Sequence, residues 1–302
     1  MAYVRRCRAL SLKMTIMNIE TPRRLEAHAV QGALKPHAGV RNVVVVGSGK
    51  GGVGKSTTSV NLAVALQHLG YRVGILDADV YGPSIPAMLG VTGKPTTPDG
   101  KSFSPMQAYG LQTMSIGSLL DSEDAPAIWR GPMATSALTQ LFNDTRWDDL
   151  DVLVVDLPPG TGDIQLTLAQ KIPVAGAVIV TTPQDIATLD ARKALRMFEK
   201  VGVPVLGIVE NMSTHVCSKC GHEEHVFGEG GGRAMAERYE VSLLGSLPLD
   251  MRIRAQGDAG APIVVAAPDS PLSAAYVHIA QQTIEALEKR PRTQGSIAAS
   301  LV

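Results

Sequence analysis

The sequence is short of aromatic residues, at 4% of 302, and it has only three cysteines, Cys7, Cys217 and Cys220. With so few aromatics, Val, Ile, Leu and Ala must build the core. Three cysteines is an odd, small number for a chain of this length, which argues against a disulfide framework and for a reducing compartment. Neither sign of charge dominates, because 28 Lys and Arg meet 28 Asp and Glu. Net charge therefore gives no reason to expect nucleic acid or an acidic membrane surface as a partner. No apolar run reaches the roughly 18 residues of a membrane helix. What remains is an ordinary globular balance, 45% hydrophobic and 19% charged.

Residues 1–19 carry Arg5, Arg6, Arg8 and Lys13, with no acidic residue before Glu20. Mitochondrial transit peptides share that composition, but so does a plain basic tail. The plain tail is the reading adopted, so a cytoplasmic protein is expected, with the mitochondrial matrix as the alternative. Residues 1–40 read as a tail or linker, 41–290 as one domain, and 291–302 as a loose tail.

Val43–Val46 is a β-branched run typical of a strand buried on both faces. Val73–Leu76, Val152–Val155, Ala177–Val180 and Val205–Val209 read likewise, and Leu243–Gly245 is a short late strand. Helical spacing follows at Lys55–Leu69, Asp190–Lys200, Gly232–Tyr239 and Pro271–Lys289. Residues 94–128 read as a loop with a hairpin near Leu111–Ile116. Strands alternating with helices predict an α/β fold, a doubly wound, mostly parallel sheet with helices on both faces. Ligands of such sheets lie outside the C-terminal strand ends. There the sequence places Asp77, Asp79, Asp156, Thr181 and Asn211.

Gly49-Lys50-Gly51-Gly52-Val53-Gly54-Lys55-Ser56 matches the phosphate-loop pattern G-x-x-x-x-G-K-[ST], between a strand and a helix. The glycines let backbone N–H groups face the phosphates, and the helix presents its positive end to the same place. The loop, Gly49 to Thr57, is expected to bind ATP with magnesium. Lys55 reaches the β- and γ-phosphates in this reading, and Ser56 and Asp156 hold the Mg²⁺. A carboxylate ending an apolar strand, as Asp156 does, needs a partner. Leu157 to Asp163, with its prolines and glycines, suits a segment that senses the γ-phosphate. Of Asp77 and Asp79, the second is the better candidate for positioning or deprotonating the attacking water. Asp77 lies nearer the sheet and reads as structural.

Lys50 is a second lysine inside the loop. It resembles the deviant phosphate-loop group of MinD, ParA and the nitrogenase iron protein, which implies that Lys50 reaches a partner's nucleotide across a dimer interface. The motifs Ile75-Leu76-Asp77-Ala78-Asp79-Val80-Tyr81-Gly82-Pro83-Ser84-Ile85-Pro86, Trp129 to Met133, Asp156 to Asp163 and Val209-Glu210-Asn211-Met212-Ser213 are similar to those of the Mrp (ApbC) family of iron–sulfur cluster carriers. The similarity runs from about Arg41 to Lys289. It implies a homodimer, weak ATP hydrolysis, a [4Fe–4S] cluster carried between subunits to apo iron–sulfur proteins, and an Asn211 that contacts adenine. Many bacterial members carry an additional N-terminal domain, whereas only about forty residues precede the first strand here.

Cys217-Ser218-Lys219-Cys220-Gly221 is a C-x-x-C knuckle in a polar loop. Its two thiolates grip one metal or one edge of a cluster, whereas a complete zinc or four-iron site wants four ligands. Cys7 is too distant in sequence to be an obvious third. A twofold dimer would present four thiolates across its axis, the arrangement that the resemblance implies. Zinc or nickel with His215, His222 or His225, a redox dithiol and a structural clip are the alternatives. Two other functional classes stay open from the sequence: a nickel or zinc insertion ATPase, and a positioning ATPase of the MinD or ParA kind.

Overall fold

The structure, a computed structural model, describes residues 23–32, 34–119 and 131–293. Its centre is β1 (Val40–Ser48), whose side chains alternate between two cores. Val44 and Val46 enter one core and Val43 and Val45 the other. Burial on both faces is why the run is β-branched without polar alternation. The other strands of the main sheet are β2 (Val73–Asp77), β3 (Met106–Ala108), β4 (Leu111–Ser115), β5 (Leu150–Asp156), β6 (Val174–Thr181), β7 (Val205–Glu210) and β10 (Leu243–Ser246). Their order across the sheet is β10-β7-β6-β1-β5-β2-β4-β3. All pairs are parallel except β3 with β4.

One face of the sheet is covered by α1 (Lys55–His68), α2 (Ile85–Met88), α7 (Met251–Asp258), α8 (Ile263–Ala266) and α9 (Pro271–Glu288). The other is covered by α3 (Gly131–Asp144), α4 (Asp163–Lys171), α5 (Asp185–Lys200) and α6 (Gly231–Arg238). The expected doubly wound α/β sheet is thus present. In α1, every residue from Thr58 to Leu66 is buried. Such a helix needs no sharp apolar stripe, because the sheet lies on one side and α9 on the other. A small hairpin, β8 (His215–Val216) with β9 (Glu223–Glu224), projects beyond the end of β7.

Several elements differ from the sequence reading. The hairpin near Leu111 is real, but β4 belongs to the main sheet, with Gly74–Asp77 paired in parallel to Gln112–Ser115. Its turn, Tyr109-Gly110, has φ of 50° and 79°, the twist that a two-residue hairpin turn requires. Residues 120–128 of the expected loop lie outside the described residues. The helix read from Asp190 begins a turn earlier, at Asp185, because Ile186 and Leu189 point outward and blur the stripe. Helices α3 and α4 were not singled out from the sequence. Gly162 is the cap of α4, and Asp163 lies in its first turn.

Residues 23–32, read as linker, pack against the end of the sheet where β1 and β5 begin. Leu25 and His28 are buried. The buried Asp151 carboxylate accepts from Leu25 N at 3.1 Å, Arg24 Nε at 3.1 Å and Arg72 N at 2.9 Å. The same strap pairs with the other end of the chain: Ala29 N donates to Pro291 O and Thr293 N to Ala27 O. Each of these contacts joins residues at least 79 apart in the chain, so no local pattern announces them.

Candidate functional site

The strand ends that carry polar residues converge as expected. The loop from Gly49 to Gly54 leaves β1, and Gly54 serves as the cap of α1 at φ 80°, with no side chain capping the helix. The first-turn N–H groups of α1 therefore remain available to an anion, at the positive end of the helix. Gly54 is required for a second reason: a Cβ there would lie 2.2 Å from Asn211 Nδ2. Gly49 is a different case. Its Cβ would meet the Asp190 backbone at 2.0 Å, so α5 packing, and not a phosphate, demands that glycine.

Lys55 is buried among carboxylates. Its Nζ stands 2.8 Å from Asp156 Oδ2 and 3.7 Å from Asp79 Oδ2. Asp156 also accepts from Ser56 Oγ and Ser59 Oγ, each at 2.6 Å. The apolar strand β5 thus ends in a carboxylate with three partners, the condition that its burial imposes. Ser59 was missed from the sequence. It lies three residues beyond Ser56, on the same face of α1, and that spacing was the available signal.

Asp77 is the register partner of Asp156 on the adjacent strand. Its Oδ1 accepts from Asp79 N, and its Oδ2 from Ser84 N, Ile85 N and Ser115 Oγ, at 3.0 to 3.2 Å. One buried carboxylate therefore fastens both ends of the loop that bears Asp79. Burial pushes the Asp77 carboxyl up to about 7; the Asp156 charge adds to this, and the N–H donors and Lys55 oppose it. Asp79 is also raised by burial, against the pull of Lys55. An acid whose folded value exceeds its unfolded 3.8 favours folding most below pH 3.8, and that contribution fades as pH climbs toward 7. Asp77→Asn removes the ionisation. Its stability relative to wild type is expected to rise between pH 5 and 8 by up to about 3 kcal/mol. Urea denaturation across that range is the check, and a difference that does not vary with pH would contradict the assignment.

The Leu157–Asp163 segment is fastened to the phosphate loop. Gly160 N donates to Ser48 O at 2.9 Å, while Ser48 Oγ donates to Lys50 O at 2.9 Å. Gln165, buried on α4, donates to Pro159 O. Neither Ser48 nor Gln165 stood out in the sequence. Lys50 itself makes no ion pair among the described residues.

Two hollows adjoin the loop. One, about 230 Å³, is lined by Lys50, Gly51, Gly52, Lys55, Ser56 and Asp79 among others. The second, about 300 Å³, is lined by Asn211, Met212, Pro248, Leu249, Ile253 and Tyr276 among others. They share Gly54, Thr57 and Met88. At the junction Asn211 Nδ2 donates to Val53 O at 2.9 Å. A hollow that carries lysine, hydroxyl and carboxylate side chains and a more apolar one, joined at a helix N-terminus, suit a phosphorylated ligand with a flat apolar portion.

The cysteine loop is the turn of the β8–β9 hairpin. Cys217 N donates to His222 O and Gly221 N to Cys217 O, both at 2.9 Å. The Lys219 and Cys220 N–H groups aim at the Cys217 sulfur and hold its thiol below the ordinary range. Donors directed at a sulfur favour the thiolate, which is the form that binds metal. Cys217 is half-buried and Cys220 exposed. Among the described residues no group of three His, Cys, Asp or Glu is placed to hold a metal ion. His215 and His225 direct Nδ1 to the carbonyls of Leu249 and Ser213. Cys7, Trp129 and Arg130 lie outside the described residues.

Comparison with known proteins bears on this geometry. The family model for ParA, described as the NUBPL iron-transfer P-loop NTPase, matches residues 39–284. The chain belongs to that family. The Haemophilus influenzae iron-sulfur cluster carrier protein is 62% identical over 245 residues, 81% of this chain. This chain spans 66% of that relative's length. The mouse iron-sulfur cluster transfer protein NUBPL is 51% identical over 259 residues, covering 85% of this chain and 81% of the relative. Among solved structures, a nucleotide-binding protein of Archaeoglobus fulgidus, in complex with ADP and with cobalt found, superposes with a TM-score of 0.65 at 38% identity. That superposition covers 73% of this chain and 87% of the other. Family membership agrees with the similarity drawn from the Asp77, Asp156 and Asn211 motifs, and the P-loop NTPase fold agrees with the strand order.

Proposed function

We propose that the protein is an ATP-dependent iron–sulfur cluster carrier that acts as a homodimer and delivers a [4Fe–4S] cluster to apo iron–sulfur proteins. One observation carries this reading: a fully built phosphate cradle stands in the same chain as a two-thiol knuckle that is incomplete alone. The relatives' names concern iron–sulfur clusters, not nickel or zinc insertion or cell positioning.

ATP lies with its phosphates over Gly49 to Thr57 and its adenine against Asn211. The Asn211 amide nitrogen already donates to Val53 O, so its oxygen is free to accept from the adenine amine. Ser56 and Asp156, hard oxygen donors that already touch, suit Mg²⁺, which supplies charge neutralisation across the phosphates. Lys55 stabilises charge on the transferring phosphoryl group, and Asp79 orients the attacking water. Lys50 reaches the partner's nucleotide. Tyr81, Ile186, Leu189, Val216, Val226 and Met251 are large apolar side chains left exposed, all on segments that follow C-terminal strand ends. Exposed apolar residues gathered at one end of a sheet support a dimer that faces itself there. Cys217 and Cys220 of two chains then supply four thiolates to the cluster, which is cargo. The described residues contain no helix long and apolar enough to cross a membrane. The cytoplasm is the proposed location, and the basic residues 1–19 keep the mitochondrial matrix as the alternative.

Anaerobic reconstitution with iron and sulfide is expected to load about four of each per dimer. Cys217→Ala and Cys220→Ala should each lose nearly all of it. A variant that holds the same cluster as wild type would remove these thiols from the reading.

A further inference from the structure

Two of the histidines near the cysteines, His215 and His225, face backbone carbonyls with Nδ1. His215 precedes Cys217 on one leg of the hairpin, and His225 follows Cys220 on the other. His215 Nδ1 is 3.1 Å from Leu249 O, and His225 Nδ1 is 3.0 Å from Ser213 O. A carbonyl oxygen only accepts, so Nδ1 is the protonated donor in both rings. The backbone joins the same two segments. Leu247 N donates to Glu210 O at 2.8 Å, Ser213 N to Leu247 O at 2.9 Å and Leu249 N to Thr214 O at 2.7 Å.

These segments are also the walls of the roughly 300 Å³ hollow beside Gly54 and Thr57. Asn211 and Met212 stand on one side, and Pro248, Leu249 and Asp250 on the other. Asn211 N is fixed to Thr181 O at 2.8 Å, and its side chain to Val53 O. Met212, between Asn211 and Ser213, is held at φ 56°. That left-handed conformation is uncommon for a residue with a long side chain, and it stores strain at the point where the wall turns into the hairpin. Both legs of the cysteine hairpin thus end on residues that wall the hollow or adjoin the wall.

We infer that His215 and His225 are positioning residues that make the placement of Cys217 and Cys220 depend on whether a nucleobase occupies this hollow. A base between Met212 and Leu249 changes the spacing of the two walls. The Leu249 carbonyl carries His215 with it, the Ser213 carbonyl carries His225, and the hairpin moves as a unit. The γ-phosphate has no part in this route, so ADP suffices, unlike a clamp made through Lys50. The inference deepens the proposed function, because it rests on the hollow as the base site. By linkage, holding the thiols in one arrangement changes ADP affinity by the factor that ADP imposes on the thiols.

The test is the rate of iodoacetamide alkylation at Cys217 and Cys220, read by peptide mass spectrometry with and without saturating ADP in dilute wild-type protein. ADP is expected to change that rate by about threefold or more. In His215→Ala/His225→Ala the change should vanish while ADP still binds by equilibrium dialysis. Met212→Gly keeps both histidines and removes the strained pivot, and it is expected to shrink the response as well. The ratio with and without ADP is the readout, which a merely structural histidine would leave unaltered. A wild type that binds ADP with unchanged alkylation, or a double variant that responds like wild type, overturns the inference. If ADP does not bind at all, the base site and the inference fall together. Iron takes no part, so a failed cluster reconstitution beside an intact ADP response would sink the carrier reading and leave this coupling standing.

Discussion

Lys55→Ala is expected to lower ATP hydrolysis by roughly 10³-fold, the cost of removing a preorganised charge from a transferring phosphoryl group. Lys55 Nζ is the cation that meets both Asp156 and Asp79, at 2.8 and 3.7 Å. Without it the paired carboxylates at the ends of β2 and β5 lose their counter-charge. Its charge lowers the Asp77 and Asp79 carboxyls, so both should rise further in the variant. Stability should then fall more steeply with pH than in wild type, because each raised acid disfavours the folded state as it ionises. Lys55→Arg should not restore hydrolysis, since a planar fork cannot replace a compact ammonium in this space. Steady-state phosphate release and urea denaturation at pH 5 and 8 are the measurements. Hydrolysis within tenfold of wild type would show that Lys55 does not stabilise the reaction.

Gly54→Ala should abolish nucleotide binding and destabilise the fold by about 1–3 kcal/mol. Two independent causes act at this position. The backbone is held at φ 80°, and the new methyl would lie 2.2 Å from Asn211 Nδ2. Asn211 would have to leave Val53 O, which opens the junction between the two hollows beside the phosphate loop. Gly52→Ala is the control. It shares φ 80°, but its methyl has nothing within 4 Å, so only backbone strain remains and a weakened site should survive. Titration with a fluorescent ADP analogue separates the two. Equal binding by both variants would mean that the Asn211 contact is irrelevant to the site.

Much of this site was legible in the sequence because its chemistry is local. Lys55 and Ser56 are fixed by a contiguous pattern between a strand and a helix. Asp156 stands out as a charge at the end of an apolar run. Asp77, nearer the sheet and read as structural from the sequence, is the residue that fastens the loop bearing Asp79. The reasons behind the glycines were only partly legible. The sequence credits all of them to phosphate, whereas Gly49 answers to α5 packing and Gly54 to Asn211 as well as to the turn. Ser48 and Gln165 stayed hidden because their partners, Gly160 N and Pro159 O, are backbone atoms without a residue signature.

The histidines around the knuckle show the limit from the other direction. Composition made them candidate ligands for zinc, but among the described residues the fold gathers no group of three His, Cys, Asp or Glu, and it ties the Nδ1 atoms of His215 and His225 to backbone carbonyls. Likewise the strap from Arg23 to Gly32 carries no periodic signal, yet it buries Leu25 and His28 and meets the far end of the chain at Thr293. By itself the sequence determined the parallel sheet, the phosphate loop, its carboxylates and the paired thiols, because each is written in neighbouring residues or in the period of one element. Only the tertiary structure decided which glycine serves which neighbour, how the cysteine hairpin is tethered and where the strap lies. Those depend on contacts between residues far apart in the chain, and such contacts leave no trace in local spacing.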